Sequence, residues 1–378
     1  MSLWGWILFR GQTKVLTVVV AANCTRMPLH APRESSLRVH KSKPYVFKCL
    51  LSYNSHGKGQ RGDTPQMMFP NIICAFMVLL ATQVPRSVRT IAFERNPDEI
   101  WVVDENGKNA KFICKGMSPA IDPSGHHIAY VYATANSRSI GFADIKKGTS
   151  GILRSIPGNN SFGPQWNRDG DRLLFFLHSL PGSMVGWRIG IVNPIEDSEF
   201  HVLGEILSTD LLTARWREDD NSVICIGGTT VYRFSANGNL EESYPATQLE
   251  SQKQGSGPAG FYWFSSEGTS MVYETDMPGE RAPVLPDVNS ALFIKDLKSG
   301  KSKRITPKDI CAMRPVWLSA NLILFDGFTA KDIKIIPATK NHDVGYDITR
   351  SLYFVDKDGK HLRRFIDNAS WPSASRTP

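Results

Sequence analysis

A nine-residue phrase recurs along this chain and limits what it can fold into. Its clearest copy, Pro164-Gln-Trp166-Asn-Arg168-Asp-Gly170-Asp-Arg172, runs straight into the apolar stretch 173–177. That reads as a strand with an inward aromatic, a tight polar turn and a second, wholly apolar strand. Variants of the phrase place Ile121, Trp216, Trp263, Trp317 and Trp371 at the position of Trp166, giving spacings of 45, 50, 47, 54 and 54 residues. A fixed period decides architecture before local detail does. Solenoid repeats are mostly shorter, whereas this is the length of a four-stranded propeller blade.

Each interval also holds a second hairpin. Its turns include Asp104-Glu-Asn-Gly107, Ser235-Ala-Asn-Gly238, Asp296-Leu-Lys-Ser-Gly300 and Asp356-Lys-Asp-Gly359. The glycine supplies the positive φ that such turns need, and Asp or Asn bonds back to the backbone. Two hairpins per interval make one blade. Six anchors enclose only five complete intervals, so the last blade must be assembled from both ends of the chain. The strand around 370–371 would join strands near 90–93, 100–103 and 110–113, closing the ring and removing its open edges. The expected fold is therefore all-β, a six-bladed propeller over 89–378. Residues buried between neighbouring blades face apolar surface on both sides, which accounts for uninterrupted runs such as 173–177 and 322–325. The six anchors, Ile121, Trp166, Trp216, Trp263, Trp317 and Trp371, then serve a structural purpose, filling the wedges between blades.

The net charge of +8 would suggest an acidic partner such as nucleic acid, but it is unevenly spread. Residues 1–86 carry 11 Lys/Arg against 2 Asp/Glu, and residues 87–378 carry 33 against 34. The repeat region is neutral, so no nucleic-acid partner is expected. Residues 1–88 form a basic, irregular region without the repeat. Its apolar run 72–81 follows Met67-Met68 and is too short for a transmembrane helix, though suited to the core of a signal peptide over 67–86. The expectation is a periplasmic or secreted protein with no stable membrane span, the alternative being cytoplasmic. The six cysteines show no metal spacing and imply no disulfide framework; no metal or cofactor is expected.

Chain order puts the short turns on one face of the ring. The other face receives the longer connections, at 178–184, 248–260, 276–289 and 327–350. Uneven loops on a rigid ring are a usual binding arrangement. The segment 330–349 is the foremost candidate, since so long an insertion inside a blade is commonly functional or disordered. The candidate binding residues are His178, Asp276, Arg281, Asp332, His342, Asp343, Tyr346 and Asp347.

The phrase Pro-x-Trp-x-x-Asp-Gly ahead of an aliphatic-aromatic strand resembles the WD40-like repeat of the TolB-like six-bladed propellers, over roughly 89–378. The resemblance implies export and binding of a protein partner, for instance one of the cell envelope. The chain departs from TolB in that residues 1–86 show no alternating strands and helices to build its N-terminal α/β domain. It departs from the prolyl-oligopeptidase group in having no Gly-x-Ser-x-Gly nucleophile elbow. Other propellers of this kind imply an alternative, a saccharide- or peptide-directed lyase or hydrolase at the funnel mouth. His178 and His342 would supply the base, and Lys331, Lys340, Arg281 and Arg350 the positive charge. The favoured reading is a non-catalytic protein-binding scaffold with no catalytic residues.

Overall fold

In the computed structural model, which describes residues 88–376 apart from 157–159, 179–186, 198–199, 204–210, 218, 220, 228, 246–260, 278–288 and 338–344, each copy of the phrase forms the innermost strand of a sheet. There are six four-stranded antiparallel sheets. Blade 1 spans 117–152, blade 2 161–202, blade 3 211–245, blade 4 262–304 and blade 5 310–367. Blade 6 is built from both termini: Ser370–Ala374 pairs with Thr90–Arg95, which continues through Glu99–Asp104 to Lys111–Lys115. The closing register sets Ile91 against Ala374 and Ala92 against Ser373. The ring thus closes by the terminal pairing that the repeat count required. No α-helix occurs among the described residues, and none of their elements is long and apolar enough to cross a membrane as a helix.

The polar part of the phrase shapes the turn after each innermost strand. Asp122 Oδ1 accepts from the amides of His126 and His127 (2.8 and 3.0 Å). In blade 2, Asn167 Oδ1 does the same for Gly170, Asp171 and Arg172. These side chains gather the amides of the tight turn, where Gly170 also bonds the Asn167 backbone carbonyl at 3.3 Å.

The core is a set of wedges between blades. Leu174, Phe176, Ile189 and Ile191 of blade 2 pack on Ala214, Trp216 and Val223 of blade 3. Leu173, Leu174 and Phe175 are completely buried, as expected for a strand covered on both sides. The tryptophans do more than fill space, because their indole N–H groups bond blade to blade. Trp166 donates to the Ala120 carbonyl (2.9 Å), Trp216 to that of Gln165 (3.1 Å) and Trp317 to that of Trp263 (3.0 Å). Each acceptor is on the innermost strand of the preceding blade.

Strand register places two of the expected anchors elsewhere. Ile121, Trp166, Trp216 and Trp317 lie opposite Ile128, Leu173, Val223 and Ile323, at or one residue after the starts of the second strands. In blade 4 the residue opposite Met271 is Phe264, and in blade 6 the residue opposite Ile91 is Ala374. Trp263 is therefore one position early, and Trp371 three. A one-residue shift turns a strand side chain to the other face. The sequence offered two adjacent aromatics, Trp263 and Phe264, and the buried one is Phe264.

Candidate functional site

The position just before each anchor faces the axis of the ring. In blades 1 to 6 it is held by Ala120, Gln165, Arg215, Trp263, Val316 and Ser373. All six line a cavity of about 80 Å³ to which every blade contributes its innermost strand, so the cavity lies on the axis. A second axial cavity of about 70 Å³ shares five of these residues and reaches the short-turn face beside Pro123 and Arg376. The first opens the other way, towards the long-loop face, where Ser118, Gly163, Phe261, Arg314 and Trp371 surround it.

Four of these rim residues have positive φ: Ser118 (49°), Gly163 (65°), Arg314 (51°) and Trp371 (52°). Each sits in a break of register between the first and second strands. Such bulges end regular pairing and re-aim side chains, here around the channel mouth. For the three residues other than glycine the conformation is strained. The blades preceding these three carry acids three positions beyond the residue that faces the anchor: Glu94, Glu274 and Asp326. Elsewhere that position is Val131, Phe176 or Ile226. Glu94 Oε2 accepts from the Ser118 amide (3.0 Å), and Glu274 Oε2 from the Arg314 amide (2.9 Å). Asp326 instead takes the Arg314 side chain, with Nε at 2.8 Å and Nη2 on the other carboxylate oxygen. Arg314 also lies 4.3 Å from the Trp371 ring.

Burial dominates the electrostatics of this rim. It raises the Glu94 carboxyl against the pull of the Ser118 amide and Arg314. It pushes Glu274 up to about 7, against the Arg314 amide and guanidinium. Burial also opposes the charge on Arg314, but Asp326 outweighs it and holds the guanidinium above its ordinary value. Arg350 is lowered, first by burial and then by Arg314. Arg215 is lowered to about 10 by burial. The mouth therefore gathers three guanidinium groups, one buried carboxylate partner and two carboxyls that ionise reluctantly.

The residues chosen from sequence do not converge on this place. His178 ends the second strand of blade 2, and its amide bonds the Asn160 carbonyl (2.9 Å). Blade 2 lies across the six-membered ring from blade 5, which carries the 330–349 insertion. Asp276 ends the second strand of blade 4 and accepts from Ser290 Oγ (3.1 Å). Arg281, His342 and Asp343 lie outside the described residues. The insertion begins with a 3-10 turn, Ala330–Asp332, and continues as a hairpin of Ile333–Ile336 on Gly345–Ile348. Asp332 works within the protein: its carboxylate accepts from the Thr329 amide and hydroxyl (both 2.8 Å) and from Arg364 (3.1 Å). Burial raises its carboxyl, but these bonds and the Arg364 charge together leave it below the usual range. Tyr346 and Asp347 are exposed on the hairpin, beside Ile335 and Ile336, which are 55% and 49% exposed. The hairpin is rooted by Ile333 and Ile348 on Cys311, Met313 and Phe328.

Glu94, Glu274, Asp326, Arg314 and Arg215 are not among the residues expected from the sequence. The signal of the three acids was legible, each standing inside a run that should be apolar, as in Ile91-Ala-Phe-Glu94, Met271-Val-Tyr-Glu274 and Ile323-Leu-Phe-Asp326. Among the described residues no group of three or more His, Cys, Asp or Glu stands close enough to hold a metal ion.

No family model matches the sequence, and no curated protein matches it. Among solved structures, TolB from Acinetobacter baumannii is similar at a TM-score of 0.54 and 18% identity, over 81% of this chain and 71% of its own. A structure of a nidogen/laminin complex is similar at 0.51 and 10%, over 77% and 99%. At such identities the likeness carries the fold. The chain is a six-bladed β-propeller of four-stranded antiparallel blades. In fold it is TolB-like.

Proposed function

We propose that this protein is a non-catalytic binding scaffold, exported from the cytoplasm, that engages a protein partner through its long-loop face. The hairpin 333–348 carries this reading. A two-stranded sheet standing off blade 5 exposes Ile335, Ile336 and Tyr346 together, and its strands have no further sheet neighbour among the described residues. Side chains of this kind gain from burial under a partner, and open strand edges are sites for strand addition. The hairpin is fastened to the ring by Asp332 and Arg364, so it presents these groups from a fixed base. TolB and the nidogen/laminin complex among the similar structures accord with a binding role, at the level of fold. Export rests on the apolar run 72–81 downstream of Met67-Met68, which lies outside the described residues.

The test of binding is excision of 333–348 with a short turn in its place. The expected result is a ring that still folds, though less stable for losing the cover of Ile333 and Ile348 on Phe328, and that no longer retains its partner; retention undiminished would overturn the reading. For export, N-terminal sequencing of protein from fractionated cells should find a start near residues 82–88 outside the cytoplasm. A cytoplasmic protein starting at Met1 would contradict it.

A further inference from the structure

Arg215 is the odd member of the channel. It occupies the axis-facing position of blade 3 and is 5% exposed. Its Nε donates to the Tyr262 carbonyl (3.0 Å) and its Nη1 to that of Ala214 (2.8 Å). The guanidinium carbon lies 5.2 Å from the Phe261 ring and 5.3 Å from that of Trp263. These groups orient the cation without neutralising it, and Glu274 favours its charge only from beyond ion-pairing distance. Among the described residues no carboxylate comes within ion-pairing distance of Arg215, whereas Arg314, in the same channel, is matched by Asp326. Buried charges are ordinarily paired, and an unpaired one is costly.

A second group points the same way. Gln165, in the neighbouring blade and also 5% exposed, spends its Nε2 on the Ala214 carbonyl (3.0 Å), and its Oε1 has no donor. Both residues line the cavity of about 80 Å³ at the long-loop end of the channel. A water occupies roughly 30 Å³ of liquid, so the space suits two or three waters or one carboxylate-sized group. Its walls include Phe261, Trp263, Val316 and Trp371. An anion in such surroundings interacts strongly with a preset guanidinium fork. A dianion such as phosphate would meet the nearby carboxyls of Glu94 and Glu274.

We infer that the axial channel is a binding site for a single carboxylate, held by Arg215, with the Gln165 side-chain Oε1 available to a donor beside it. The carboxylate could belong to a small free acid or to a chain terminus, where an amide N–H adjoins it. This inference does not depend on the hairpin of blade 5.

The experiment titrates the full chain with acetate, N-acetylglycine and the neutral isostere acetamide. Ionic strength is held with chloride, and tryptophan fluorescence is read because Trp263 and Trp371 wall the cavity. Acetate should give a saturable change and acetamide none. Binding of N-acetylglycine about tenfold tighter than acetate would assign the site to a chain terminus, and equal binding to a small acid. Arg215→Gln should weaken acetate at least about tenfold; if that variant does not fold, Arg215→Lys, which keeps the charge without the fork, should bind more weakly than the parent. Equal responses to acetate and acetamide, or no saturation by on the order of 100 mM, would overturn the proposal. Excision of 333–348 should leave acetate binding unchanged, so this site and the loop-face reading fail separately.

Discussion

Asp326→Asn is the most informative single change, because it leaves the shape of the channel mouth and removes one charge. Asp326 is fully buried, and the side chain of its partner Arg314 is 10% exposed. Both carboxylate oxygens receive the guanidinium. With the carboxylate gone, Arg314 becomes a buried cation held by a neutral amide. Removing one partner of a buried pair costs about 3–5 kcal/mol. For a ring of this size that corresponds to roughly 5–15 °C in melting temperature. The double variant Asp326→Leu/Arg314→Met removes both charges and fills the space with carbon. It also loses the stacking on Trp371, worth about 0.5–2 kcal/mol, and should still be more stable than Asp326→Asn. Urea unfolding followed by far-UV circular dichroism measures both. A single-variant loss below about 1 kcal/mol, or a double variant less stable than the single, would contradict the dependence of buried Arg314 on Asp326.

Glu274→Gln tests the burial of the rim carboxyls. A carboxyl raised to about 7 in the folded state binds its proton more tightly there than when unfolded, so its stabilising contribution is present at low pH and is lost as pH climbs from about 4.5 to 7. The charged, polar and thiol groups around it are Arg314, Asp326, Asp276, Arg215, Arg350 and Cys311. Glutamine still accepts from the Arg314 amide, so the variant should flatten that slope and gain on the order of 2 kcal/mol at pH 8; an unchanged pH profile would count against it. Gly190→Ala places a Cβ 2.4 Å from the Phe175 ring. It should cost about 1–3 kcal/mol, and Phe175→Leu in the same chain should recover part of that, so strictly additive losses would contradict the packing. Trp216→Phe removes the indole bond to the Gln165 carbonyl across the blade 2–3 wedge. A loss of about 1–3 kcal/mol is expected in the same urea assay, and a neutral result would deny the inter-blade bonds a role.

The ring was legible because two signals coincide in the chain: uninterrupted apolar strands set off by glycine turns, and a phrase returning about every fifty residues. Each copy carries its own turn chemistry, as Asp122 and Asn167 show, so local and global signals agree. Closure followed from the count of copies. What could not be read was register within the innermost strand. Trp263-Phe264 satisfies the phrase in either register, and only pairing with Met271 decides which ring is buried. The bulges at Ser118, Arg314 and Trp371 are invisible for the same reason, since residues other than glycine rarely adopt positive φ. Polar residues in long loops pointed to the hairpin of blade 5. They also pointed to Asp332 as a binding group, whereas its carboxylate is spent on Thr329 and Arg364. The charged mouth was missed because its acids sit within strands rather than loops.

Protein binding by the long-loop face is the property on which the proposed function depends. Its most direct test compares partner capture by the intact chain and by the 333–348 excision, using extracts of the native host and quantitative mass spectrometry, with a short-turn-face variant such as Arg168→Glu as control. A defined protein should be retained by the intact chain and the control and lost with the excision. Equal retention by all three, or loss only in the short-turn-face variant, would contradict it.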